Sequence, residues 1–316
     1  VMITAVNLLG VRAYGEFEFW FALIKVAAVI GLIVFGVAVV VLGINNNPDL
    51  PAPSFAHLVD GGFLPHGISG VLVSLVVVVF SFGGIELLGV AAGEADNPRR
   101  TIPKAINQVV YRILIFYIGA LAVVMAVVPW DRIDGQESPF VQIFDNVGIQ
   151  GAAHILNFVV LTAAMSVYNS GLYSNGRMLY SLAQQGNAPS YLLKVSPRGC
   201  PIAGILTSSA ITVIAVVVVL VWPDFAFKYL MSVATIGVIV NWAMIVITDH
   251  VFRRRIGPDA VAKLAFKLPG GQATTWALLA FMALVLVLMA FEPGYRTALV
   301  IGPAWLAVLL VAYEIK

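Results

Sequence analysis

The sequence predicts an all-α fold, a polytopic bundle of transmembrane helices, from three observations. Of its 316 residues, 60% are hydrophobic and 11% charged, where an ordinary soluble domain carries roughly a quarter charged. The mean hydropathy is +0.96. The apolar residues also fall in runs of the length that crosses hydrocarbon, about 20 residues for a helix. Eighteen Lys and Arg and 16 Asp and Glu cannot coat a water-soluble globule of this composition. Soluble enzymes, disordered tails and nucleic-acid binders are therefore excluded, and the lipid bilayer is the expected solvent. The net charge of +2 is close to neutral and signals no anionic partner. A single cysteine, Cys200, excludes a disulfide framework and a cysteine-based metal cluster.

The chain opens with Val1–Leu9, which reads as the tail of an apolar span. It has no charged leader and no small-residue cleavage site, so it is not a signal peptide. An amino-terminally truncated piece of a longer protein is expected. Eight complete spans follow in one membrane domain, 1–316: Phe19–Gly43, Ile68–Ala92, Ile106–Trp130, Gly151–Leu182, Ile202–Trp222, Ala226–Asp249, Ala273–Phe291 and Thr297–Tyr313. Stretches such as Val71–Phe80 and Val213–Val221 are almost continuously apolar, whereas barrel strands would alternate.

Lys and Arg in short loops set the orientation. Arg99, Arg100, Lys104 and Arg112 follow the second span. Arg177, Lys194 and Arg198 flank the end of the fourth, and Arg253, Arg254, Arg255, Lys263 and Lys267 follow the sixth. With Arg12 and Lys316 these make fourteen on one side, against Arg132, Lys228 and Arg296 on the other. The basic side is expected to be the cytoplasm and to hold the carboxyl terminus. Trp20, Trp130 and Trp222 fall near span ends, as an aromatic belt would place them.

No HExxH, GxSxG or Walker-type loop occurs, and no two histidines have the i, i+4 spacing of a helical metal pair. No enzyme, metal or cofactor is expected. The second span instead reads Val79-Phe80-Ser81-Phe82-Gly83-Gly84-Ile85-Glu86. Adjacent glycines weaken a helix by about 1 kcal/mol each. Free backbone groups inside lipid are tolerated where they line a cavity or meet a ligand. A discontinuous helix would offer amide N–H groups to a carboxylate such as that of an amino acid. A small-residue helix contact is the competing explanation. Glu86 would be costly there unless paired or protonated. It is a candidate proton carrier or a brace for unwound backbone, or else a carboxylate reached by water.

Lys25 lies about 9 Å into the first complete span. It either snorkels to the interface or is a desolvated amine that binds and releases a proton. In the fourth complete span, Ser166, Asn169 and Ser170 stand at i, i+3 and i+4 and share a helix face. Such residues either hold helices together or face a cavity as an ion-type site.

With these residues the chain resembles bacterial amino acid permeases of the amino acid–polyamine–organocation superfamily. The matching stretches are Gly15 through Lys25, Phe80 through Glu86, Gly93-Glu94-Ala95-Asp96-Asn97-Pro98, Asn107 through Gly119 and Ser166 through Pro189. Asn107-Gln108-Val109-Val110-Tyr111-Arg112 and Gln185-Gly186-Asn187-Ala188-Pro189 are most similar to aromatic amino acid permeases. Leu268-Pro269-Gly270-Gly271-Gln272 is closer to proline- or GABA-type relatives. The resemblance implies twelve spans on an inverted five-plus-five repeat, of which this chain would hold the end of the fourth and the fifth to twelfth. Most of the first repeat, including its own unwound span, would be missing.

The resemblance further implies a secondary transporter of the bacterial inner membrane that imports a neutral, aromatic amino acid by proton symport and alternating access. Other amino acids (proline, GABA, D-serine, alanine or glycine) and a non-transporting amino acid sensor are the alternatives. Phe80 would gate the substrate, and Ser81, Phe82, Gly83 and Gly84 would form the unwound segment beside it. Lys25 would stand in for a sodium ion; Glu86, by its own position in the span and not by the resemblance, is a further candidate coupling residue. Ser166, Asn169 and Ser170 would face that lysine across the site.

Overall fold

A computed structural model describes residues 1–46, 48, 50–92, 97–133, 141, 143–144, 152–264, 266–291 and 295–314. Residues 93–96 of the family-like segment, Gly151 at the start of the fourth predicted span and Lys316 lie outside the described residues. The described chain is helical, with no strand among the described residues. Helices long and apolar enough to cross a membrane are Val11–Leu42, Pro98–Val127, His154–Gln184, Ile202–Val221, Val233–Ile256 and Gly271–Phe291. Two shorter apolar helices are Gly67–Ser81 and Arg296–Val311.

The helices overrun the apolar stretches that predict them. The first long one starts at Val11 rather than Phe19, and another continues to Ile256 rather than stopping at Asp249. Glu and Arg are good helix formers, so backbone hydrogen bonding continues past the point where the side chains turn polar.

The described residues form two compact units. The first comprises Val1–Phe63 and Asn107–Ile211. Here α1 (Met2–Leu9) is separated from α2 (Val11–Leu42) by Gly10, whose φ of 130° ends the first helix. The far end of α2 closes on Gly43 (φ 64°). Ile44 N–H reaches back to Val39 O at 3.1 Å and Gly43 N–H to Val40 O at 3.3 Å, a Schellman ending that satisfies carbonyls the helix leaves open. Leu32 and Val39 on α2 form a buried cluster with residues of the Pro98–Val127 helix, Ala120, Val124 and Val127. Gly36 permits the approach, since a Cβ there would come within 2.0 Å of Val123 Cγ1.

The Pro98–Val127 helix loosens midway into a π-helical turn, Ile113–Gly119. A second cluster, Ile3, Phe21, Leu172, Cys200 and Ile205, ties α1 and α2 to the helices Ala152–Gln184 and Ile202–Val221. Gly204 packs so closely on Gly176 that a Cβ would lie 2.7 Å from the Gly176 carbonyl oxygen.

The second unit comprises Leu64–Ile106 and Thr212–Lys316. It contains α3 (Gly67–Ser81), α4 (Leu87–Ala91), most of α5 (Pro98–Arg112) and the second half of the Ile202–Val221 helix, from Thr212 on. With α6 (Ala120–Val127), α7 (Ala152–Gln184) and α8 (Ile202–Val221) already placed, it adds α9 (Pro223–Ile256), α10 (Pro258–Ala262), α11 (Gly271–Phe291) and α12 (Arg296–Glu314). Val76 and Val79 lie on one face of α3. They are buried with Ile236 and Ile239 of α9 and with Met282, Val285 and Met289 of α11.

In both units large apolar side chains stand on the outside, such as Val34 at 64% exposed, Leu220 at 75% and Leu310 at 66%. Lipid, not water, is the solvent that suits that surface.

Candidate functional site

The first element of the site is the interruption between α3 and α4. Helix α3 stops at Ser81, whose hydroxyl donates to Val77 O at 3.2 Å. Phe82 N–H donates to Val79 O (3.2 Å) and Gly83 N–H to Phe80 O (3.0 Å), so the chain tightens into three-residue turns. Phe80 is half-buried in the last turn of α3.

Gly84 has φ +98°, a conformation that L side chains rarely adopt, and this turns the chain out of the helix. A Cβ on Gly83 would lie 3.2 Å from both Phe80 O and Val238 Cγ2, so the turn sits directly against α9. Helix resumes at Leu87.

Glu86 braces this turn. Its Oε2 accepts the Gly84 backbone N–H at 3.0 Å and the Trp242 indole N–H at 3.0 Å. The carboxylate thus fixes the unwound backbone and ties it to α9. The amides of Phe82, Gly83 and Gly84 are taken up within the turn. The N–H groups of Ile85 and Glu86 have no acceptor among the described residues. The available donors therefore lie just beyond the predicted segment Phe80–Gly84.

The second element is a polar network in the other unit. Lys25 Nζ donates to Ser166 Oγ at 2.6 Å, and the Ser166 hydroxyl donates to Glu18 Oε1 at 2.5 Å. Asn169 Nδ2 donates to Glu18 Oε2 at 3.2 Å, and Asn7 Nδ2 donates to Asn169 Oδ1 at 2.8 Å. Lys25 and Glu18 are 3.8 Å apart, with side chains 32% and 25% exposed. Ser166, Asn169 and Asn7 are buried. The result is a continuous donor chain from an ammonium to a carboxylate. As a pair the two charges are net neutral, which lowers the cost of holding either within a span. Lys25 thus has a buried hydroxyl and a carboxylate as partners inside the unit.

Of the three predicted partners on α7, Ser166 and Asn169 enter the network. Ser170 is half-buried and makes no hydrogen bond to it.

Sequence reasoning missed Glu18, Asn7 and Trp242. Glu18 had a signal: it precedes Lys25 by two helical turns, so opposite charges share a face. Placing the start of the span at Phe19 left Glu18 in a loop. Asn7 and Trp242 had none, because only packing brings α1 to α7 and α9 to the turn.

A family model described as amino acid permease matches residues 1–316. The chain belongs to the amino acid permease family. Among curated relatives, the aromatic amino acid transport protein AroP of Escherichia coli K12 is 47% identical over 319 residues, covering 100% of this chain and 68% of the relative. AroP of Salmonella typhimurium LT2 is 46% identical over 318 residues, with 100% and 68% covered. The uncharacterized amino acid permease YtnA of Bacillus subtilis is 45% identical over 314 residues, with 99% and 67% covered. This permease is thus an all-α, multi-pass membrane protein for amino acid transport, and its relatives are transport proteins.

Proposed function

We propose that this permease is a secondary active transporter of the bacterial inner membrane. It imports a neutral, aromatic amino acid by proton symport through alternating access, with its carboxyl terminus in the cytoplasm. The observation that carries the reading is the helix interruption at Phe82–Glu86, with the Ile85 and Glu86 amides left as donors. Amides freed in this way suit a substrate carboxylate. Phe80, Ser81, Phe82, Gly83 and Gly84 shape that segment, and Phe80 supplies an aromatic gate beside it. Aromatic selectivity is supported by the likeness to the AroP proteins.

Lys25 carries the coupling proton. Glu18 and Ser166 are its relay partners, and Asn169 orients the carboxylate. Proton uptake or loss anywhere along this chain changes the charge of the pair, which gives the gradient a handle on the protein's conformation. Glu86 serves the turn as a brace.

Uptake by the full-length protein in vesicles tests this directly. Radiolabelled phenylalanine should accumulate against its gradient and leak back when a protonophore collapses the proton gradient. Accumulation indifferent to the protonophore rejects proton coupling. Binding without counterflow rejects transport altogether and leaves a sensor.

A further inference from the structure

The last turns of α9, the short α10 and the first turn of α11 enclose a cleft of about 380 Å³ lined by His250, Arg253, Arg254, Val261, Gly271 and Gln272, among others. No carboxylate is among its described lining residues. Asp249, one turn back, accepts Arg253 Nε at 2.7 Å and takes up only that one nitrogen of the guanidinium. Arg254 is exposed and has no partner among the described residues. The Gln272 N–H, at the uncovered start of α11, adds a backbone donor on the facing side. Asp259, on α10, does not line the cleft.

The position of the cleft narrows what it can hold. The membrane-length apolar helices Val233–Ile256 and Gly271–Phe291 both reach their ends here. Trp276, whose ring meets His250 edge-on at 5.8 Å, is 61% exposed. Exposed aromatics at the ends of spans mark headgroup depth. Cationic donors therefore sit where phospholipid phosphates lie, beside apolar surface that acyl chains would cover.

We propose that this cleft binds the phosphodiester headgroup of an anionic phospholipid. The arginines and the helix amide engage the phosphate, while Trp276, whose ring touches His250 of the cleft, packs on the chains. A free phosphate ion would offer the same oxygens but make no use of the aromatic surface.

The test uses full-length protein in phosphatidylcholine vesicles containing a minor share of brominated lipid. The Trp276 contribution to emission is isolated by subtracting the Trp276→Phe variant. Brominated phosphatidylglycerol should quench Trp276 more strongly than brominated phosphatidylcholine at the same mole fraction. Arg254→Gln should weaken that preference about fivefold, the effect of one basic residue at an anionic surface. Arg255→Gln, next in sequence but outside the cleft, should leave it unchanged.

Equal quenching by the two lipids overturns the proposal. An equal loss with Arg255→Gln also overturns it, by reducing the effect to general surface charge. Inorganic phosphate at matched ionic strength should not displace the brominated phosphatidylglycerol; displacement would make the cleft a site for free phosphate instead.

Discussion

Lys25 and Glu18, two turns apart on α2, are joined through the hydroxyl of Ser166 on α7, at 2.6 Å and 2.5 Å. A charge on a span is expensive alone and tolerable as a bonded pair. The arrangement makes the two residues one bonded unit, so removing either should disable the same step.

Lys25→Ala and Glu18→Gln are accordingly expected to abolish gradient-driven accumulation while sparing exchange of labelled for unlabelled substrate. Ser166→Ala, which keeps both charges but removes the bridging hydroxyl, should slow accumulation without abolishing it. Paired uptake and counterflow assays in vesicles check all three. Full accumulation by Lys25→Ala would return the lysine to a snorkelling role.

At the turn, Glu86 Oε2 is shared by Gly84 N–H and Trp242 Nε1–H. Because the Trp242 bond ends on a charged acceptor, the coupling between Glu86→Ala and Trp242→Phe should be roughly 1–3 kcal/mol. A double-mutant cycle on thermal unfolding in detergent measures it. Strict additivity would mean that the carboxylate does not tie the turn to α9.

Gly84→Ala places a Cβ on a residue with φ +98°. The left-handed penalty is roughly 1–2 kcal/mol for an L residue. Gly89→Ala, a few residues on in regular helix with open space around it, is the control. Lower melting temperature and lost uptake are expected for the first and near-normal behaviour for the second. Equal effects would argue against a special backbone at Gly84.

Gly204→Ala should destabilise the first unit by about 1–3 kcal/mol, because the new methyl meets the Gly176 backbone and backbone cannot rotate away as a side chain can. Detergent unfolding of this variant beside Gly171→Ala, where nothing lies within 4 Å, separates overpacking from any general cost of adding a methyl.

The sequence alone determined the class of this protein. Hydrophobic composition and run length leave helices in lipid as the only structure that satisfies every backbone group, and the glycine pair marked where one helix would fail. The residues Phe80 through Glu86 and Gly15 through Lys25 carried the family likeness in linear order. Tertiary structure decided which polar groups meet. Lys25 could be seen as costly, but its partners Glu18, Ser166 and Asn169 are set by how α2 lies on α7, and Asn7 by how α1 joins them. Which amides remain available at the turn was likewise undecided until Glu86 folded back onto Gly84 and Trp242 arrived from α9. Periodicity reports the face a residue occupies on its own helix; the neighbour across that face is fixed only when helices pack.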